Sequence, residues 1–592
     1  MDPSIPRSPP LAYSPSRSEP TPPPEYEPSV SFNSYNEAVS FVQMYSPCTT
    51  MHSVELVKPR QSFLESLKRA LAPLQAIAAA ITVSSVMSGI VPLTQQELAS
   101  GGPVMMVFGF AFAGLMAFTI ALSLADISSG FPNVKGGLIE YSRRLAPPHL
   151  KRISSWVVGW LHFSAFVTGV TECAFSLALF ATSAIEIATG VMPPRWVTVL
   201  IHVAVSIAFG FINAFKINID MLSVAWHFAG PIVVLITIAA SNKDPPSISW
   251  VFTHFENQTG FHNTLYVVLL GLVQGAFTMT GYDAPIHTAY NMPNAAWQVP
   301  QGIICGFLVS FFMGEVLILT LLFGIKGQDL ASILNPVVTG NGVIEIFVHL
   351  ISRAGTSCIL VIFIGTLFFC GQGILKAVSE IGHELATKGA FPRSEYLAQV
   401  GPQGQPARVG WLCVGISSFT GMLYLGNTTL LGAMSSALAI EMNLVYTIPV
   451  ALRLVYPNPS SFQPGPFSLG RFREPIAMVA TWWSVTGTII FSIPGVYPIT
   501  PENMNYASVL LLATLGFILG YWYYSARHWF GLSAELDLNR KRISSAIELE
   551  QLGHAYSARY SVASKGDPGY DTELDEIENW LDNLERDLYR MK

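Results

Sequence analysis

Twelve separate apolar stretches punctuate this chain, and most are long enough to cross a bilayer as a helix. About 20 apolar residues span the roughly 30 Å hydrocarbon layer, where only helices or closed barrels satisfy their own backbone. The stretches fall at roughly 76–95, 103–125, 156–183, 195–213, 219–240, 264–288, 301–323, 357–379, 409–425, 429–451, 475–493 and 505–525, numbered here as spans 1 to 12. The reading is an all-α membrane protein with twelve transmembrane helices. Composition agrees: only 12% of the 592 residues are charged, about half the usual share in soluble domains.

The Lys and Arg residues orient the spans, because short cytosolic loops are enriched in them. The loop after span 2 carries Lys135, Arg143, Arg144, Lys151 and Arg152; that after span 8, Lys388, Arg393 and Arg408; that after span 10, Arg453, Arg471 and Arg473. The alternate loops hold Arg195, Lys243, Lys326 and Arg353, with none after spans 9 or 11. Both termini are therefore expected in the cytosol and the chain in the plasma membrane. Two N-x-[ST] sequons, at Asn257 and Asn427, fall in loops read as external.

Residues 1–60 are rich in Pro and Ser and lack the apolar core of a signal peptide. They read as a disordered cytosolic tail. Residues 61–530 form the membrane domain. Residues 531–592 form a charged, partly helical cytosolic tail, either a solvated helix or a regulatory docking segment. The net charge of −6 resides in tails and loops, and no basic patch suggests nucleic acid. The six cysteines form no C-x-x-C pair, and no H-E-x-x-H spacing occurs. No metal, disulfide framework or cofactor is implied.

Gly and Pro clusters inside apolar runs point to a site, since non-helical backbone at membrane depth must line a cavity or be buried in protein. Span 1 contains ITVSSVMSGIVPLT, with Ser84, Ser85, Ser88, Gly89 and Pro92; span 6 contains FTMTGYDAP, with Thr278, Thr280, Gly281 and Pro285. These are corresponding positions of two five-span halves. The pattern is that of a LeuT-like 5+5 inverted repeat with broken helices 1 and 6, plus two C-terminal helices. In such folds the amides of a half-helix attract an anion and unwound carbonyls hold a cation.

Further stretches carry a family resemblance. They are VMSGIVPL…ASGGPVMMVFGF, ADISSGFPNVKGGLIEYSRRLAP, SSWVVGW, GYDA…H with N-A…P, YLG…A…IP…LRL, LGRFREPIAMVATWW and PITPENMNYASV. Together they resemble the amino acid–polyamine–organocation (APC) superfamily, and within it the fungal amino acid/choline/GABA permease branch. The resemblance covers about residues 60 to 530. It implies secondary, proton-coupled uptake of a small nitrogenous solute, driven by the proton gradient without a cofactor. Alternating access would rock the bundle of spans 1, 2, 6 and 7 against the rest. Relatives keep two carboxylates where this chain has Tyr290 and Asn291; Glu380, Thr387 and Lys388 likewise replace the charges of their gate.

An ionisable group within a span costs several kcal/mol and is a functional hypothesis by default. Glu172 lies in span 3, Asp283 in the span 6 break, His287 beside it, Glu315 in span 7, Glu441 in span 10 and His227 in span 5. An acid-rich interior suits a proton relay, a cationic substrate, or both. Ser88, Gly89 and Ile90 would hold a substrate carboxylate; Thr278, Thr280 and Gly281, with Tyr282 and Asp283, would hold the amine. Glu172, Asp283, Glu441 and His227 would couple ion to substrate. The competing reading for Glu172 is a structural acid, and for His227 a satisfied core histidine. Glu315 reads as structural. Tyr282, Trp226 or Tyr290 could cover a quaternary ammonium by cation–π contact. A non-transporting nutrient sensor of the same fold is the alternative function; an enzyme is not supported.

Overall fold

In the computed structural model, residues 63–336, 341–426, 430–457, 462–501 and 503–531 are described, and for 63–73, 291, 430 and 431 only the backbone. The tail 1–60, the Asn427 sequon and residues 532–592 of the second tail lie outside the described residues. Two compact units are distinguished, Met1–Arg69 and Ala70–Lys592, and the candidate membrane spans, from Leu74 onward, belong to the second.

Among the described residues, ten helices are long and apolar enough to cross a membrane. Span 1 is built from Phe63–Ser84 and Val86–Ala99, followed by Gly102–Gly130, Lys151–Thr189, Arg195–Ala214 and Asp220–Ser241 as spans 2 to 5. Ala295–Phe323 and Arg353–Thr387 are spans 7 and 8; Leu430–Val455, Arg473–Ser492 and Ala507–Tyr524 are spans 10 to 12. The other two crossings are irregular. Span 9, Ala407–Met422, has 16 residues and is extended by a 3₁₀ turn, Leu423–Leu425. Span 6 comes in pieces: Thr264–Leu270, Val273–Thr278, then Ala284–His287 and the turn Ala289–Asn291.

Spans 3 and 8 form the most extensive helix pair, and spans 2 and 7, and 4 and 9, also pack on each other. The half-helix Val86–Ala99 of span 1 likewise packs on Val273–Thr278, a piece of span 6. In each pair the members stand five spans apart, as expected for a 5+5 repeat. Span 11 packs on spans 10 and 2, and span 12 on spans 10 and 3. Span 3 is the central column, with 83% of its apolar window buried, whereas span 12 buries 17% and turns Leu512 and Tyr523 outward.

The three Lys/Arg-rich loops share one end of the molecule, called here the basic end. Asp126 of span 2 pairs with Arg453 (2.6 Å) and Arg473 (3.0 Å), and accepts the Leu469 N–H. The short helix Gly137–Leu145 packs on span 10. Its Glu140 meets Arg143, Arg144 (2.9 Å) and Lys388 (3.6 Å), and Lys388 also reaches Glu384 (3.0 Å). Burial alone would raise the Glu140 carboxyl, but Arg143, Lys388 and Arg144 prevail and hold it down to about 2.

Candidate functional site

The two interruptions meet, but the span 1 break is narrower than its sequence suggests. It is confined to Ser85, at φ 25° and ψ 78°. Helix resumes at Val86 and runs through Pro92, whose missing N–H costs one intrahelical bond that membrane helices tolerate. The N–H groups of Ser88 and Gly89 already donate to Ser85 O, at 2.9 and 3.2 Å. Ser88, Gly89 and Ile90, expected as an anion site, are helical, and the first-turn amides nearest the break belong to Val86 and Met87.

Span 6 opens more widely, from Met279 to Asp283. Gly281 takes φ +81°, and a Cβ there would stand 2.8 Å from Val83 Cγ1 and 3.1 Å from the Val83 backbone. Only glycine allows this close crossing of the two breaks. Nearby, Gly89 faces Thr278, whose buried hydroxyl has no hydrogen-bond partner among the described residues. Thr280 turns its hydroxyl back to Phe277 O.

A polar scaffold holds each break open. On the span 6 side, Tyr446 of span 10 accepts the Gly281 N–H (2.9 Å) and donates to Asp283 Oδ1 (2.7 Å). His287 Nε2 bonds Asp283 Oδ2 at 3.0 Å. His162 Nε2, from span 3, stands 3.2 Å from the same oxygen, but off the direction a hydrogen bond needs. On the span 1 side, His227 Nδ1 meets Ser223 O at 2.7 Å. A carbonyl only accepts, so Nδ1 donates to it, and Nε2 is hydrogen-bonded to Ser85 Oγ at 2.9 Å. Ser85 Oγ in turn lies 2.6 Å from Ser88 Oγ. Both nitrogens of His227 are occupied, as in a satisfied core histidine.

The remaining acids divide. Glu172 is buried; its Oε1 accepts from Ser435 at 2.7 Å, while Oε2 has no partner among the described residues. Its neighbour Cys173 lies 3.7 Å from Cys370, whose sulfur is 3.6 Å from Val83 O. Glu172 therefore sits at the level of the breaks. Glu441 turns to Ser164 of span 3 (3.1 Å), on a different face of span 10 from Tyr446. Glu315 is half-buried in span 7. Of the aromatics, Tyr282 is packed between Tyr446 and Phe307, Trp226 donates to Ile362 O, and Tyr290 is exposed.

His162 and Tyr446 are residues that sequence reasoning missed; His162 shows why. It lies among the aromatics near the start of span 3, where a single histidine carries no pattern. Its link to Asp283 and His287 joins segments far apart in the chain. Together these three could hold a metal ion, with one ligand atom from each within 4.8 Å of the others.

Comparison with known proteins places this arrangement in context. Residues 71–515 match the family model described as amino acid permease. A rice (Oryza sativa subsp. japonica) protein described as an amino-acid permease BAT1 homolog is 32% identical over 487 residues, covering 79% of this chain and 93% of the relative. The Arabidopsis thaliana amino-acid permease BAT1 is 30% identical, covering 79% and 94%. A choline transporter of Saccharomyces cerevisiae is 24% identical, covering 78% and 83%.

Proposed function

The chain belongs to the amino acid permease family, and on that premise we propose that it carries out proton-coupled uptake of a solute bearing an ammonium group. It is a multi-pass membrane transporter of amino acids or amines, in a family of permeases rather than enzymes. The substrate class is an amino acid, choline, GABA or a related amine.

One observation supports this reading above the rest: Glu172 is buried, next in the chain to Cys173, which reaches Val83 of span 1 through Cys370, and it has a carboxylate oxygen left unpartnered among the described residues. A buried, half-satisfied carboxylate is costly until a cation or donor meets it. The substrate ammonium supplies that partner, with the Thr278 hydroxyl and the carbonyls of the span 6 break completing its shell. A substrate carboxylate, where present, faces the Val86 and Met87 amides. Asp283, with both oxygens engaged inside the protein, shapes the break and carries the coupling proton with His287. His227 fixes the Ser85 turn. Glu441, bonded to Ser164 of span 3 and on another face of span 10 from Tyr446, is kept as a coupling group apart from the Asp283–His287 pair. The Lys/Arg-rich end is assigned to the cytosol, with both termini, and the membrane to the plasma membrane.

The test is a competition-uptake panel in a permease-deficient cell, comparing choline, GABA, polyamines and neutral amino acids across pH. Concentrative uptake that rises with an inward proton gradient is expected, and Glu172→Gln should lose about 100-fold in apparent affinity at intact surface expression, about 2.7 kcal/mol. Unchanged affinity in Glu172→Gln would sink the assignment, and binding without uptake would favour the sensor.

A further inference from the structure

We propose that His162, Asp283 and His287 form a binding site for a divalent transition-metal ion that clamps span 3 to the inner half of span 6. Asp283 Oδ2 stands 3.0 Å from His287 Nε2 and 3.2 Å from His162 Nε2. Ligand atoms around a tetrahedral zinc ion, at bond lengths of about 2.0–2.1 Å, lie roughly 3.4 Å apart. The two Asp–His separations need only a few tenths of an ångström of expansion, and the two imidazole nitrogens, within 4.8 Å of each other, would draw together around the ion. The two imidazole rings are 5.0 Å apart and inclined by 50°, so neither blocks the other.

An independent observation points to an occupant. His162 is wholly buried, its Nδ1 has no hydrogen-bond partner among the described residues, and its Nε2 is 3.2 Å from Asp283 Oδ2 without the alignment of a hydrogen bond. Buried imidazoles usually satisfy at least one nitrogen; a metal bond would satisfy this one. Two imidazoles and one carboxylate suit zinc, cobalt, nickel or copper rather than magnesium or calcium. Tyr446 bonds the other oxygen of Asp283 at 2.7 Å and fixes the carboxylate, as outer partners of metal ligands do. Access is from the basic end, where His287 is the least buried member and its ring faces Gly137.

The ion would bridge the moving bundle and span 3. If alternating access rocks one against the other, as proposed above, the bridge holds this conformation and blocks transport. The test uses the full chain in nanodiscs, purified without a histidine tag, with Co²⁺ as the spectroscopic probe and Zn²⁺ as competitor. One Co²⁺ per chain is expected, with the strong visible absorption of a four-coordinate site that Zn²⁺ abolishes. His162→Gln and His287→Gln should each weaken binding about 100-fold, whereas His254→Gln and His349→Gln, solvent-accessible histidines each paired with a single glutamate, should not. As a readout that needs no variant, Zn²⁺ should raise the melting temperature of the unmodified chain with its concentration. No Co²⁺ binding, binding unmoved by both core variants, or no Zn²⁺ effect on melting would overturn the site. Because binding is read without transport, the outcome is separate from that of the uptake panel.

Discussion

The two helix breaks occupy equivalent places in the two halves but are built differently. The span 1 break is one residue, Ser85, stabilised by neutral hydroxyls and His227. The span 6 break covers several residues and is held by Tyr446 and the Asp283–His287 pair. A short break can be satisfied by two hydroxyls and an imidazole. A long one frees more backbone and needs a charge with partners from other spans. The wider break is thus the more fragile one, and substitutions should separate them.

The largest effect is expected at Gly281. Alanine there meets a positive φ, costing about 1–2 kcal/mol, and crowds Val83 at 2.8–3.1 Å, adding about 1–3 kcal/mol. Gly281→Ala should lose most of its folded yield, read by monodisperse chromatography and melting temperature. A stable, active variant would show that the breaks can move apart. Next, Asp283→Asn keeps the shape but removes the charge. Uptake should fall about 100-fold, on the scale of a charged hydrogen-bond network worth about 3 kcal/mol. Normal uptake would make the wide break indifferent to charge, like its counterpart.

Much of this comparison was legible in the sequence. Paired Gly/Pro interruptions located both breaks, since little else explains polar residues within apolar runs. The positive loops agree with a shared end where Asp126 of ADISSG meets Arg473 of the RFREP stretch. What stayed hidden were contacts across spans. The helical state of Ser88–Gly89–Ile90 depends on where one residue turns, and His162 acquires meaning only when spans 3 and 6 meet. Composition is blind to both.

Tyr446→Phe tests the partner from span 10. It removes the bridge between the Gly281 N–H and Asp283, leaving a buried N–H unpaired at about 1–3 kcal/mol. Melting should fall accordingly and uptake by about 10-fold. An unchanged melting temperature would mean that the wide break is held by packing rather than by this hydroxyl.

The smallest effect is expected at Ser85, and it sharpens the contrast most. Glycine relieves a positive φ that costs a serine about 1 kcal/mol. It also removes the hydroxyl between His227 and Ser88, worth about 1 kcal/mol. The two nearly cancel, so Ser85→Gly should shift stability by less than about 1 kcal/mol, against several for Gly281→Ala. Melting curves of the two variants, measured side by side, check this. A Ser85→Gly loss as large as that of Gly281→Ala would mean that the hydroxyl chain, and not backbone geometry, holds the narrow break, and that the two halves are built more alike than their contacts indicate.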